Sequence, residues 1–128
     1  MKKNDLDPAD CLPLTPAVFH ILLALADGEM HGYAIMREVA ETTEGQVNMG
    51  PGTLYGTIKR LLEAGFIEES DRRRDNKDDD ERRRYYRLSG VGQRVVEAEA
   101  RRYNELAKLA RRKNLLGKPP KAAPAGGI

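Results

Sequence analysis

At Gly65 the spacing of apolar residues changes from the 3.6-residue period of a helix to the two-residue period of a strand. That order of elements limits the fold more than any other feature of the chain. Upstream, three segments read as amphipathic helices. Thr15-Pro16 starts the first, since a threonine hydroxyl caps a free backbone N–H and proline suits the first helical position. Val18, Ile21, Leu22 and Leu25 fall at i, i+3, i+4 and i+7, with Phe19, Leu23 and Ala26 beside them, so this helix should be central to the core. Asp27-Gly28 stops it. The second helix runs from Tyr33 to about Thr42, burying Ile35, Met36 and Val39, and Gly45 closes it. Gly50-Pro51 opens the third, Gly52 to Ala64, and Gly65 ends it.

Downstream, Phe66 to Ser70 alternates as one strand and Arg83 to Leu88 as another, with Tyr86 and Leu88 on one face and Tyr85 and Arg87 on the other. A charged connection, residues 71–82, makes the pair a hairpin with a long tip. Ser89 can cap a last helix from Gly90 to about Leu115, roughly 39 Å long at 1.5 Å per residue. Three helices followed by a two-stranded hairpin is the order of a winged helix-turn-helix. The expected class is therefore mainly α with a small β-hairpin (α+β): a winged helix-turn-helix over residues 14–89 and one long C-terminal dimerisation helix over 90–116. A flexible arm, 1–13, and a disordered tail, 117–128, are expected to flank them.

With 128 residues the chain has room for one core. Its longest apolar run, Ala17 to Ala26, is about half the ~20 residues of a membrane helix, and no apolar segment precedes Pro13 as a secretion signal would require. A cytoplasmic protein with no membrane association is expected. Cys11 is the only cysteine, which excludes an intramolecular disulfide and the paired-cysteine zinc patterns. A calcium loop starting at Asp75 fails at its third, sixth and twelfth positions, which are Lys77, Asp80 and Tyr86. The two histidines, His20 and His31, and the two serines, Ser70 and Ser89, are too scattered for a nucleophilic site. Neither an enzyme nor a cofactor or metal is expected.

On a helical wheel Leu54, Ile58, Leu61 and Leu62 lie within about 100 degrees of one another and mark the core side of the third helix. Gly52, Gly56, Lys59, Arg60 and Glu63 fall opposite, with Thr53, Thr57 and Tyr55 on the shoulders. A helical glycine costs roughly 1 kcal/mol relative to alanine, so two on an outward face imply close approach of a partner to the backbone, such as a DNA major groove. The hairpin connection carries Arg72-Arg73-Arg74 and Arg82-Arg83-Arg84, which suit phosphates. Net charge is only +2, so the case rests on arrangement rather than total. Two other readings stay open: an ordinary amphipathic helix with tolerated glycines, and a solvated loop whose arginines pair with Asp78, Asp79, Asp80 and Glu81. The alternative function is a protein-interaction module, a rigid winged-helix docking domain whose charged wing is simply solvated. In the last helix Val96, Ala100, Tyr103, Ala107 and Ala110 are spaced four, three, four, three, with Leu106 and Leu109 beside them, the seam of a helix packed on another helix. The seam serves a homodimer or, alternatively, packs back on the first helix.

The runs LTPAVFHILLALADGEMHGYAIMREV, GPGTLYGTIKRLLEAGFIEES and RRRYYRLSGVGQRVV resemble the PadR family of transcriptional regulators over most of the chain. The resemblance implies an N-terminal winged helix-turn-helix, dimerisation through C-terminal helix, and binding to an inverted-repeat double-stranded DNA operator. It also implies repression, relieved in some members by a small phenolic or hydrophobic effector. By position, Thr53, Tyr55, Gly56, Lys59 and Arg60 would face DNA, and Arg72, Arg73, Arg74, Arg82, Arg83 and Arg84 would contact its backbone. The single C-terminal helix matches the short members of the family. The absence of tryptophan and the long acidic hairpin tip depart from its pattern.

Overall fold

The structure, a computed structural model, describes residues 8–70 and 84–117. The connection carrying Arg72, Arg73, Arg74, Arg82 and Arg83, the first seven residues and the tail expected beyond Gly117 lie outside the described residues. Helix α1, Pro16–Leu25, starts where Thr15 accepts the Val18 N–H at 3.2 Å. Helix α2, Gly32–Thr42, begins a residue earlier than its apolar pattern implies, because His31 Nδ1 accepts the Ala34 N–H at 3.1 Å and serves as the cap. Helix α3, Pro51–Ala64, ends at Gly65, whose φ of 82° lets the Gly65 and Phe66 N–H groups reach the Leu62 and Leu61 carbonyls.

Strands β1 (Met30–His31), β2 (Ile67–Glu69) and β3 (Tyr85–Leu88) form an antiparallel sheet in the order β1-β3-β2. The two hairpin strands are shorter than the alternation implied, although the Ser70 N–H still bonds the Tyr85 carbonyl at 2.8 Å. Strand β1 was not foreseen. Pairing Met30 with Tyr86 and His31 with Tyr85, it joins the wing to the α1–α2 turn. Tyr86 is buried and Arg87 exposed, as the alternation of the strand requires.

Helix α4, Gly90–Arg112, is capped by Ser89, which accepts the Gly92 N–H at 3.0 Å. At 23 residues it measures about 35 Å rather than 39, since Asn114 already leaves the helix with φ 62°. The core joins Ile21, Leu22 and Leu25 of α1, Ile35 and Val39 of α2, and Leu54, Ile58 and Leu61 of α3. Tyr86 of β3 and Val95 and Val96 of α4 complete it. Val96, expected in the dimer seam, is thus a core residue of its own chain: the first half of α4 lies against the domain, and periodicity alone does not say which surface a stripe meets. The arm is also corrected for its second half. Pro8–Cys11 forms a 3-10 turn, and Cys11, Leu12 and Leu14 pack against the core, so this stretch is folded onto the domain rather than free.

Candidate nucleic-acid interface

Three turns of α3 are fixed by Leu54, Ile58 and Leu61, each buried. The fourth inward position is Thr57 rather than Leu62, which is 37% exposed. A buried threonine is tolerated because its hydroxyl donates to the Thr53 carbonyl at 2.8 Å, and it also accepts from Arg60 Nη2 at 3.2 Å. The inward arc is therefore rotated by about 40 degrees from the predicted one. What remains outward is Gly52, Thr53, Lys59, Arg60 and Glu63, with Gly56 half-buried. A Cβ on Gly52 would meet nothing within 4 Å, and one on Gly56 would come no closer than 3.9 Å to Arg60 Nη1. Both glycines consequently leave helix backbone bare on a face with two cations and a hydroxyl.

Tyr55 is placed differently from the other predicted readers. Its ring lies over the first turn of α2, so close that a Cβ on Gly32 would be 2.7 Å from Tyr55 Cε1 and Oη. It belongs to the packing between α2 and α3, and Gly32 is the glycine that admits it. Sequence reasoning passed over Tyr33, which is half-exposed in the first turn of α2 next to the β1 edge. The HGY run was the available signal, read only as a helix start.

At the wing base, Arg84 Nε lies 3.3 Å from Glu69 Oε2, and Arg87 Nε lies 2.9 Å from Glu68 Oε2 across the β2–β3 ladder. Arg84 is thus held beside a carboxylate, whereas Lys59 and Arg60 are exposed, with Arg60 bonded to Thr57 of its own helix. Ser70, where β2 ends, donates to the Glu29 carboxylate and ties the wing to the α1–β1 turn.

The seam of α4 divides in two. Val95, Val96 and Glu99 are buried, whereas from Ala100 onward the helix has no buried residue. Tyr103 stacks on Phe19 of α1 with ring centroids 4.9 Å apart, yet stays 46% exposed. Leu106 and Leu109 are exposed, and Ala107 and Ala110 are half-buried. The alternative in which the stripe packs on its own first helix therefore holds as far as Tyr103. Among the described residues, no group of three or more His, Cys, Asp or Glu could hold a metal ion, and no helix is long and apolar enough to cross a membrane.

A stretch of 41 residues is 46% identical to an uncharacterized 37.1 kDa protein in transposon TN4556 of Streptomyces fradiae, covering 32% of this chain and 11% of that protein. The chain thus matches about a tenth of that relative's length. Among solved structures, a transcriptional regulator from Clostridium thermocellum is similar at 23% identity and TM-score 0.59, over 75% of this chain and 87% of that one. H. salinarum RosR is similar at 25% identity and TM-score 0.56, over 80% of each chain. Lactococcus lactis ZitR, at 20% identity and TM-score 0.58 over 84% of this chain and 64% of that one, shares the fold. The transcriptional regulator PadR-like family matches residues 21–98, which run from α1 through α3 and the hairpin into α4. With more than half of its length covered by that match, this chain belongs to the PadR-like family of transcriptional regulators.

Proposed function

We propose that this DNA-binding regulator is a homodimeric repressor of the cytoplasm that reads an inverted-repeat operator, laying α3 in the major groove of each half-site. The observation that carries the reading is the outward face of α3: Thr53, Lys59 and Arg60 beside two glycines whose missing Cβ atoms face open space. Such a face lets helix backbone approach a duplex closely while its side chains reach phosphates and base edges. Tyr55 sets the angle between α2 and α3. The arginines at 72–74 and 82–84 are assigned to the DNA backbone, with Arg84 available once it leaves Glu69. Tyr103, Leu106, Ala107 and Ala110, with Ala100 at the near end, form the dimer seam, and Val96 is no longer part of it. Relief by a small hydrophobic or phenolic effector rests on the family resemblance alone.

A gel shift against the DNA upstream of the protein's own gene, repeated at rising salt, tests this. Lys59→Ala with Arg60→Ala should weaken specific binding without unfolding the chain, and each lost phosphate contact should lower the salt slope by about one. Unchanged affinity in the double variant would remove α3 as the reader. Failure of the wild type to bind at low salt would leave a winged-helix docking domain.

A further inference from the structure

The one fully buried ionic side chain among the described residues sits away from the DNA face, on α4. Glu99 is 0% exposed, and both of its oxygens are occupied. Oε2 accepts the Leu14 N–H at 2.9 Å, and Arg102 reaches back one turn with Nε 2.6 Å from Oε1 and Nη2 3.2 Å from Oε2. The carboxylate therefore ties the segment leading into α1 to the middle of α4. It is also the last buried residue of the helix; everything beyond it stands at least partly clear of the domain. An apolar side chain could fill the same volume, but it would leave the Leu14 N–H without its acceptor and would fix no direction.

The other fixed point on α4 is Gly92. A Cβ there would come within 1.8 Å of the Phe66 carbonyl oxygen, so the helix backbone is in direct contact with the chain just ahead of β2. Seven residues separate Gly92 from Glu99, about 10 Å along the axis. Two anchors that far apart define the line along which α4 leaves the domain. If the Glu99 anchor slipped by about 1 Å, the helix would tilt by about 5 degrees. A reading helix about 25 Å away, the width of a domain this size, would move by about 2 Å. Two-fold symmetry doubles that to about 4 Å, more than the 3.4 Å rise of one base pair.

The geometry points to Glu99 as a positioning residue for operator recognition: by clamping Leu14 to Arg102 it sets the angle between the dimer helix and the DNA-reading domain, and so the half-site spacing the dimer accepts. The inference rests on the dimeric inverted-repeat reading above. Its test uses the full chain and inverted-repeat duplexes that the wild-type protein selects from a random pool, remade with centres lengthened or shortened by one or two base pairs. The wild type should prefer one spacing by about tenfold per base pair. Glu99→Leu should flatten that preference to within about twofold or threefold, or move its optimum, while the protein still sediments as a dimer. A clamp needed only for stability would lower the melting temperature and scale every affinity alike, leaving the ratio between spacings unchanged, and that result overturns the proposal. Should Glu99→Leu not fold, Arg102→Gln keeps the Leu14 bond, removes the guanidinium fork and must still broaden the spacing preference. A wild type that sediments as a monomer, or selects no inverted repeat, overturns the dimer reading and this inference with it. A wild-type dimer with a sharp preference that both variants share overturns this inference alone.

Discussion

Whether a helical glycine can be replaced depends on what its absent Cβ would meet, and the two ends of the domain give opposite answers. At Gly92 the new atom would lie 1.8 Å from the Phe66 carbonyl oxygen, so one backbone has to move. Gly92→Ala should destabilise the protein by about 3 kcal/mol or more. Gly56→Ala meets only Arg60 Nη1 at 3.9 Å and should stabilise the helix by up to about 1 kcal/mol, yet weaken operator binding because the methyl stands where the duplex approaches. Urea denaturation and DNA titration of the two variants check both halves. A Gly56→Ala protein that binds as the wild type does would show that nothing comes close to the helix backbone there. Glu99 carries a pH dependence. The Arg102 fork holds its carboxyl below the usual carboxylate range against the opposing effect of burial, and the Leu14 N–H adds to the lowering. The folded chain then binds that proton more weakly than the unfolded one. The stabilisation is complete above the ordinary carboxylate value, about pH 4, and is lost as pH falls from there through the lowered folded value. The stability gap between wild type and Glu99→Gln should be level from about pH 7 to 5 and shrink below about pH 4. A gap that stays level in acid would show that the Glu99 charge contributes nothing.

Elements were legible in the sequence to the extent that a local rule fixed them. Thr15 and Ser89 cap α1 and α4 as their hydroxyls predict, and Gly65 ends α3 because it can adopt the left-handed backbone a helix stop requires. His31 was missed as the cap of α2, since an imidazole nitrogen is not among the usual capping groups. Strand β1 was missed because two residues show no period, and it exists only through pairing with β3, more than fifty positions away. The outward set Gly52, Thr53, Lys59 and Arg60 was readable from the wheel, whereas the place of Tyr55 was not: its ring reaches α2 only because residue 32 is a glycine. The wing is the element whose role depends most on charge. Its connection holds Asp78, Asp79, Asp80 and Glu81 between two arginine triplets. Replacing the four acids with Asn and Gln should tighten non-specific DNA binding and reduce specificity, because negative charge within a Debye length of about 8 Å opposes phosphate. Salt titration against a random duplex reads the change, and unaltered affinity with an unaltered slope would put the tip far from DNA and leave the wing's role to the arginines.

At the scale of the whole molecule, one α3 per chain offers few contacts, and two-fold symmetry is how a small reader gains affinity from a palindromic site. Helix α4 divides its labour accordingly. Its first half completes the core through Val95 and Val96, while its second half and the turn beyond it leave Tyr103, Leu106, Leu109, Leu115 and Leu116 between 38% and 72% exposed. Several large apolar side chains grouped on one element mark an interaction surface, and the four-three spacing of Tyr103, Ala107 and Ala110 suits another helix. On the wheel, Arg101, Lys108 and Arg112 fall on the side of α4 opposite this stripe, where the proposed dimer would leave them solvated. The small residues at 107 and 110 let a partner backbone come close, and Tyr103, already stacked on Phe19, is a rigid anchor. A truncation after Glu97 would also remove the buried Glu99, so paired point variants beyond the core are the cleaner test. Leu106→Glu with Leu109→Glu places like charges across a two-fold seam at two positions that are exposed in the single chain. The wild type should sediment as a dimer at micromolar concentration and the double variant as a monomer with its secondary structure intact. Operator affinity should fall on the order of 100-fold, the loss expected when two linked half-sites become independent. A wild type that sediments as a monomer, or a double variant that remains dimeric, would show that copies of this chain do not meet along α4.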